Sequence, residues 1–232
     1  MIPVLLPGNM CDARLWVDPV RAILPGAVDA DLAKDNTIPD MARRTLAITE
    51  GRVLPVGFSM GAIVAVEMWL QAPERVAGLI LLGYNATADL PDRAANRPIQ
   101  QAEALAGGLE RVLVEELKPN YLAAANRTDA ALLELLRDMG MQLGPAVFMA
   151  QSEALRRRAD RVHALSAIPV PVLYGVGAED TLCPPDWHRR WADLTPDANF
   201  AEFGGAGHML PLEAPLALAA TIADWLKQKG LR

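Results

Sequence analysis

Apolar residues in this chain gather in short unbroken runs more often than in alternation. The stretches IPVLLP (2–7), RVLPVGF (52–58), VAGLILLG (76–83) and VPVLYGV (170–176) are brief, aliphatic and bounded by Gly, Pro or charge. Runs of this kind predict strands buried on both faces, as in a parallel sheet. GAVDADL (26–32) is a weaker strand candidate, and ANFAEFGG (198–205) alternates around Phe200 and Phe203. Between the runs, apolar positions recur with a helical period at 38–50, 60–72, 186–194 and 215–229. The last has Pro215 in its first turn and Gly230 just past its end, the usual asymmetry of helix termini. Strand and helix in alternation predict an α/β domain with helices on both faces of the sheet.

One long segment breaks the alternation. From Ala86 to Leu165 only helical patterns occur, among them QQAEALAGGLERVLVEEL and DAALLELLRDMGMQL. Roughly 80 helical residues between two strands exceed an ordinary crossover. Residues 86–165 are therefore expected to form a helical cap insertion over one edge of the sheet, with 1–85 and 166–232 forming the core.

Composition narrows the possible functions. The 232 residues fit one domain with an insertion, and 52% hydrophobic against 22% charged residues is a globular balance. A net charge of −6 and a pI near 5.1 argue against a nucleic-acid partner, which needs clustered Lys and Arg. The two cysteines, Cys11 and Cys183, have no metal-ligand spacing, so no metal is expected. The opening MIPVLLPGNM has no charged leader, and Glu67 interrupts the longest apolar stretch short of the ~20 residues a bilayer requires. A cytoplasmic protein with no membrane partner is the expectation.

The stretch LPVGFSMGAIVAVE (54–67) places one serine, Ser59, inside an apolar run, with Gly57 and Gly61 two positions to either side. Ser59 is either a core serine or a nucleophile. G-x-S-x-G where a strand meets a helix describes a nucleophile elbow, a tight bend that lifts the hydroxyl above the sheet. Side chains at 57 and 61 would collide with neighbouring backbone there. A serine hydroxyl needs a base, normally a histidine held by a carboxylate. Of the three histidines, His163 reads as a surface residue and His188 as the solvated face of an amphipathic helix. His208, in EFGGAGHMLPLEAP, follows a predicted strand on a Gly-rich loop and is the candidate base. Between serine and histidine, LYGVGAEDTLCPP offers two carboxylates, Glu179 and Asp180.

With these motifs in this order, the chain resembles the α/β-hydrolase family. PVLYGVGAEDTLCPP and FGGAGHMLPLEAP match that family's strand, acid loop, strand and histidine loop. The resemblance covers 2–83 and 166–229. It implies Asp180 as the acid, the third residue after Gly177, and backbone N–H groups of Met60 and Asn9 as an oxyanion hole. Asn9 lies in Pro7-Gly8-Asn9, where proline replaces the family's usual histidine. The resemblance also implies about six mostly parallel strands in the order 2-1-3-4-5-6, lacking the family's first two. Asp12 is expected to cap a short helix carrying Trp16.

The function so implied is a serine hydrolase acting on a small to medium carboxylic ester through an acyl-enzyme, with no metal or organic cofactor. Thioesterase, carbon–carbon hydrolase and perhydrolase chemistry use the same triad, and a ligand-binding protein without catalysis is the alternative outside enzymes. Met139, Met141, Phe148 and Met149 of the insertion, with Met10 and Trp16, are candidate substrate-binding residues. The cluster Arg156, Arg157, Arg158 and Arg161 is read as a self-paired, solvated helix face. Its second reading is a dock for an acidic acyl carrier protein, as in the pimeloyl-carrier-protein methyl ester esterases that the chain resembles.

Overall fold

Six parallel strands form one sheet in the order β2-β1-β3-β4-β5-β6. They are β1 (Ile2–Leu6), β2 (Val28–Asp29), β3 (Val53–Phe58), β4 (Leu79–Leu82), β5 (Val172–Gly177) and β6 (Ala198–Phe203). The computed structural model describes residues 1–117 and 121–231. All six predicted strands are present, in the expected order and wholly parallel. The weak candidate at 26–32 contributes only two residues, on the edge beside Val4 and Leu5.

The unbroken apolar runs have the cause inferred for them. Alternate residues of each strand enter different cores, because successive side chains point to opposite faces. Val4, Val53, Leu79, Leu81, Val172 and Tyr174 pack on one face. That face is covered by α1 (Ile38–Ala47), α2 (Met60–Gln71) and α6 (Pro185–Leu194). Leu5, Leu54, Val56, Ile80, Leu82 and Leu173 pack on the other, with α7 (Leu210–Glu213), α8 (Pro215–Gln228) and the Leu15–Trp16 turn. Helix α2 is buried on every side from Met60 to Trp69, which explains its lack of a polar face. Its one charge, Glu67, is paired with Arg161 at 2.8 Å. Asp12 caps the short turn at Ala13–Leu15 by accepting from the Arg14 N–H.

Between β4 and β5 the described residues are helical or irregular: α3 (Pro91–Glu103), α4 (Leu109–Arg111) flanked by π-helical turns, and α5 (Ala130–Arg156). Residues 118–120 of the 86–165 segment lie outside the described residues. Helix α5 is two helices joined at a kink. Gly144 takes φ 79° and ψ 176° ahead of Pro145, breaking the run between Met139 and Phe148. No helix among the described residues is long and apolar enough to cross a membrane.

Candidate active site

The carboxyl ends of the parallel strands carry the candidate chemistry, the position where open α/β sheets bind ligands. Ser59 follows β3 directly, and α2 begins at the next residue. Its backbone sits at φ 52° and ψ −113°, a left-handed conformation that costs a non-glycine residue about 1–3 kcal/mol. The bend survives because its surroundings fix it. The Ser59 N–H donates to the Leu82 carbonyl at 2.8 Å, and a Cβ at Gly61 would lie 2.1 Å from the Leu6 carbonyl oxygen. A Cβ at Gly57 would meet the α2 backbone at 2.5 Å. Both glycines of the motif are therefore needed for close approach.

His208 lies on the loop after β6 and reaches both partners. Its Nε2 is 3.0 Å from the Ser59 Oγ, and its Nδ1 is 2.7 Å from the Asp180 Oδ2. With a carboxylate at Nδ1, that nitrogen carries the proton and Nε2 is free to accept from the serine. Asp180 Oδ1 accepts the N–H groups of Leu182 and Cys183, each at 2.8 Å. Burial pushes the Asp180 carboxyl up, but His208 and the loop N–H groups outweigh it and hold the pKa below its ordinary value. Glu179 points elsewhere, accepting the Ala124 N–H at 2.8 Å from an exposed position.

A cavity of about 260 Å³ opens onto Ser59 and His208, and Asn9 and Met60 line it too. Neither the Asn9 nor the Met60 N–H has an acceptor among the described residues. The loop bearing Asn9 is held by a residue that the sequence did not bring to notice. Gln151 of α5 is buried, accepts the Met10 N–H at 2.8 Å and donates to the Leu32 carbonyl at 3.2 Å. No local pattern marks a glutamine whose partners lie over 100 residues away.

The expected substrate wall is largely different. Of the six positions named for it, only Phe148 borders the cavity. Met139 and Trp16 are packed in the core on the α8 side of the sheet, and Met10 is covered by the small cluster around Phe148. Met141 is exposed, and Met149 is half-buried away from the cavity. The break at Gly144 separates Met139 and Met141 from Phe148 and Met149, so Met141 and Phe148, which one continuous helix would align, do not share a face. The arginine cluster also divides. Arg156 and Arg157 pair with Glu153 as expected, whereas Arg158 turns inward to Asp89 at 2.7 Å and Arg161 to Glu67.

The model of the alpha/beta hydrolase family matches residues 4–221. The chain belongs to the alpha/beta hydrolase family. This hydrolase is 30% identical over 186 residues to a Mycobacterium tuberculosis protein bearing the provisional name non-heme bromoperoxidase BpoC. That match covers 75% of this chain and 67% of the relative. It is 27% identical over 173 residues to a pimeloyl-[acyl-carrier protein] methyl ester esterase of Neisseria meningitidis, covering 72% and 67% of the two chains. A thermophilic esterase from Thermogutta terrifontis shares its fold with a TM-score of 0.88 at 24% identity, over 98% of this chain and 90% of that one.

His188 of this hydrolase is not solvated, contrary to the amphipathic reading of α6. It is wholly buried, accepts the Tyr84 N–H at 2.7 Å through Nε2, and has Nδ1 3.2 Å from the Pro184 carbonyl. Burial lowers its pKa to about 4, keeping the ring neutral. The unfolded value is higher, near 6.5, so the unfolded chain binds the extra proton first. The stability this neutral ring contributes is complete above pH 6.5 and drains away as the pH falls towards 4. The total is on the order of 3 kcal/mol. Denaturant titrations from pH 7 to pH 4 are expected to show this slope, and His188→Gln is expected to flatten it.

Proposed function

We propose that this protein is a serine hydrolase that cleaves a small to medium carboxylic ester through an acyl-enzyme. The observation that carries the reading is the continuous relay from Ser59 Oγ through His208 to Asp180, at 3.0 and 2.7 Å. Ser59 Oγ attacks the ester carbonyl while His208 Nε2 takes its proton, and Asp180 steadies the resulting imidazolium. The carbonyl oxygen becomes an oxyanion, and the acceptor-free N–H groups of Met60 and Asn9 receive it. The imidazolium then protonates the departing alkoxide. In the second half His208 deprotonates a water, which attacks the acyl carbon and releases the acid and Ser59.

Residues 86–165 act in this reading as a cap that selects the ester, since their side chains make up much of the cavity wall. Labelling with a fluorophosphonate tests the nucleophile directly. The adduct is expected on the Ser59 peptide, and an unlabelled protein with Ser59 intact would favour a ligand-binding role instead. Gln151 is a positioning residue for the oxyanion loop. Gln151→Leu is expected to lower kcat by roughly tenfold to a hundredfold with a smaller change in KM, as a displaced donor loop would. Steady-state kinetics on a short activated ester separates the two constants.

A further inference from the structure

The cavity beside Ser59 has a cationic wall. Arg93, Arg97 and Arg158 all border it. Arg97 and Arg158 share a single carboxylate, Asp89, at 2.6 and 2.7 Å, and Asp89 is almost completely buried. Arg93 has no carboxylate among the described residues; its one hydrogen bond runs from Nη2 to the Leu182 carbonyl at 3.2 Å. Glu116 also borders the cavity, but it is engaged by Arg111 at 2.7 Å and by Gln100 at 2.9 Å. The positive charge of the wall thus exceeds what the protein supplies to balance it.

The donors of this wall differ in what they have left to give. Arg158 is bound to the Thr87, Ala88 and Leu155 carbonyls as well as to Asp89, so it acts as a strut. Arg97 gives Asp89 its Nε and one Nη2 hydrogen and keeps Nη1 unengaged. Arg93 keeps Nε and Nη1. Asn85 borders the cavity as a buried neutral residue, its Oδ1 held by the Thr87 N–H and hydroxyl at 2.9 Å.

Helix α3 is oriented to build this wall. Arg93, Arg97 and Gln100 recur at helical spacing and turn to the cavity, while Ile99, the helix's only large aliphatic residue, is 66% exposed. An amphipathic helix ordinarily does the reverse.

We infer that the cavity takes esters whose acyl or alcohol part ends in a carboxylate, held by the free guanidinium donors of Arg93 and Arg97. A carboxylate supplies the one negative charge that Arg93 lacks, in the planar geometry a guanidinium binds best. This inference rests on the ester-hydrolase reading above.

The test compares kcat/KM for two anionic esters with their neutral methylated counterparts. Monomethyl glutarate carries the carboxylate on the acyl side, and the acetate ester of a hydroxy acid carries it on the alcohol side. The wild type is expected to prefer one anionic ester over its neutral counterpart by about tenfold or more, and the favoured arm tells which side is bound. Arg93→Gln is expected to remove most of that preference, Arg93→Lys to keep part of it, and the exposed Arg157→Gln to leave it alone. Equal rates on charged and neutral esters, or a preference untouched by Arg93→Gln, overturn the inference. Calorimetric titration with glutarate needs no turnover and separates this inference from the reading beneath it. Binding that weakens about tenfold in Arg93→Gln, with no ester cleaved, would support the anion site while rejecting the hydrolase reading. No binding and no preference would remove the anion site.

Discussion

A Ser59→Ala variant is expected to fold like the parent and to hydrolyse a short activated ester slower by about five to six orders of magnitude. The loss is that large because the hydroxyl is the group proposed to form the bond, and no other group in the relay can replace it. The fold should be unaffected. Ser59 Oγ has one hydrogen-bond partner, His208, and the bend is held by the Ser59 N–H and by glycine contacts that alanine preserves. What remains should be the modest acceleration from binding and the oxyanion donors. Active-site titration with the fluorophosphonate guards against traces of wild type. A variant retaining more than a few per cent of the rate would mean that another residue is the nucleophile.

Asp180→Asn should lower turnover by about four orders of magnitude. The direction follows from how the carboxylate is held. Two backbone N–H groups, from Leu182 and Cys183, point at Oδ1, so an asparagine will keep its carbonyl oxygen there. Its amino group then faces His208 Nδ1. A donor at that place forces Nδ1 to accept and moves the ring proton to Nε2, where it opposes the Ser59 hydroxyl. The base is lost although every atom of the site is present. Glu179→Gln should change the rate only a few-fold, because its carboxylate serves the Ala124 N–H and not the histidine. Pre-steady-state acylation rates on both variants make the comparison, and the reverse order of effects would reject Asp180 as the acid.

Much of this site can be read along the chain because its parts obey local rules. Gly57, Ser59 and Gly61 occupy three alternate positions where a strand turns into a helix, a pattern contained within five residues although the Gly61 contact is with Leu6 of β1. His208 announces itself by the glycines around it, at the end of an alternating strand. The choice between Glu179 and Asp180 is not local in the same sense. Adjacent side chains diverge, and which of them meets His208 depends on where the β5 and β6 loops lie in space; family resemblance chose Asp180, whose Oδ2 lies 2.7 Å from His208 Nδ1.

The sequence by itself determined the places and buried character of the strands and the tight bend at Ser59. These follow from the pairing of short aliphatic runs and from a tight turn, both legible over a few residues. Only the tertiary structure decided which faces of the 86–165 helices meet the cavity. A helical period says which residues share a face, but not what the face will touch. Nothing along the chain marks Arg93 or Arg97, yet both border the cavity at Ser59 while Ile99 faces outward. Met141 and Phe148, seven residues apart, look like one face of a helix until Gly144 breaks it between them. His188 looks exposed on α6 until Tyr84, 104 residues earlier in the chain, supplies the N–H that makes its burial tolerable. In each case the deciding contact lies beyond the reach of any local pattern.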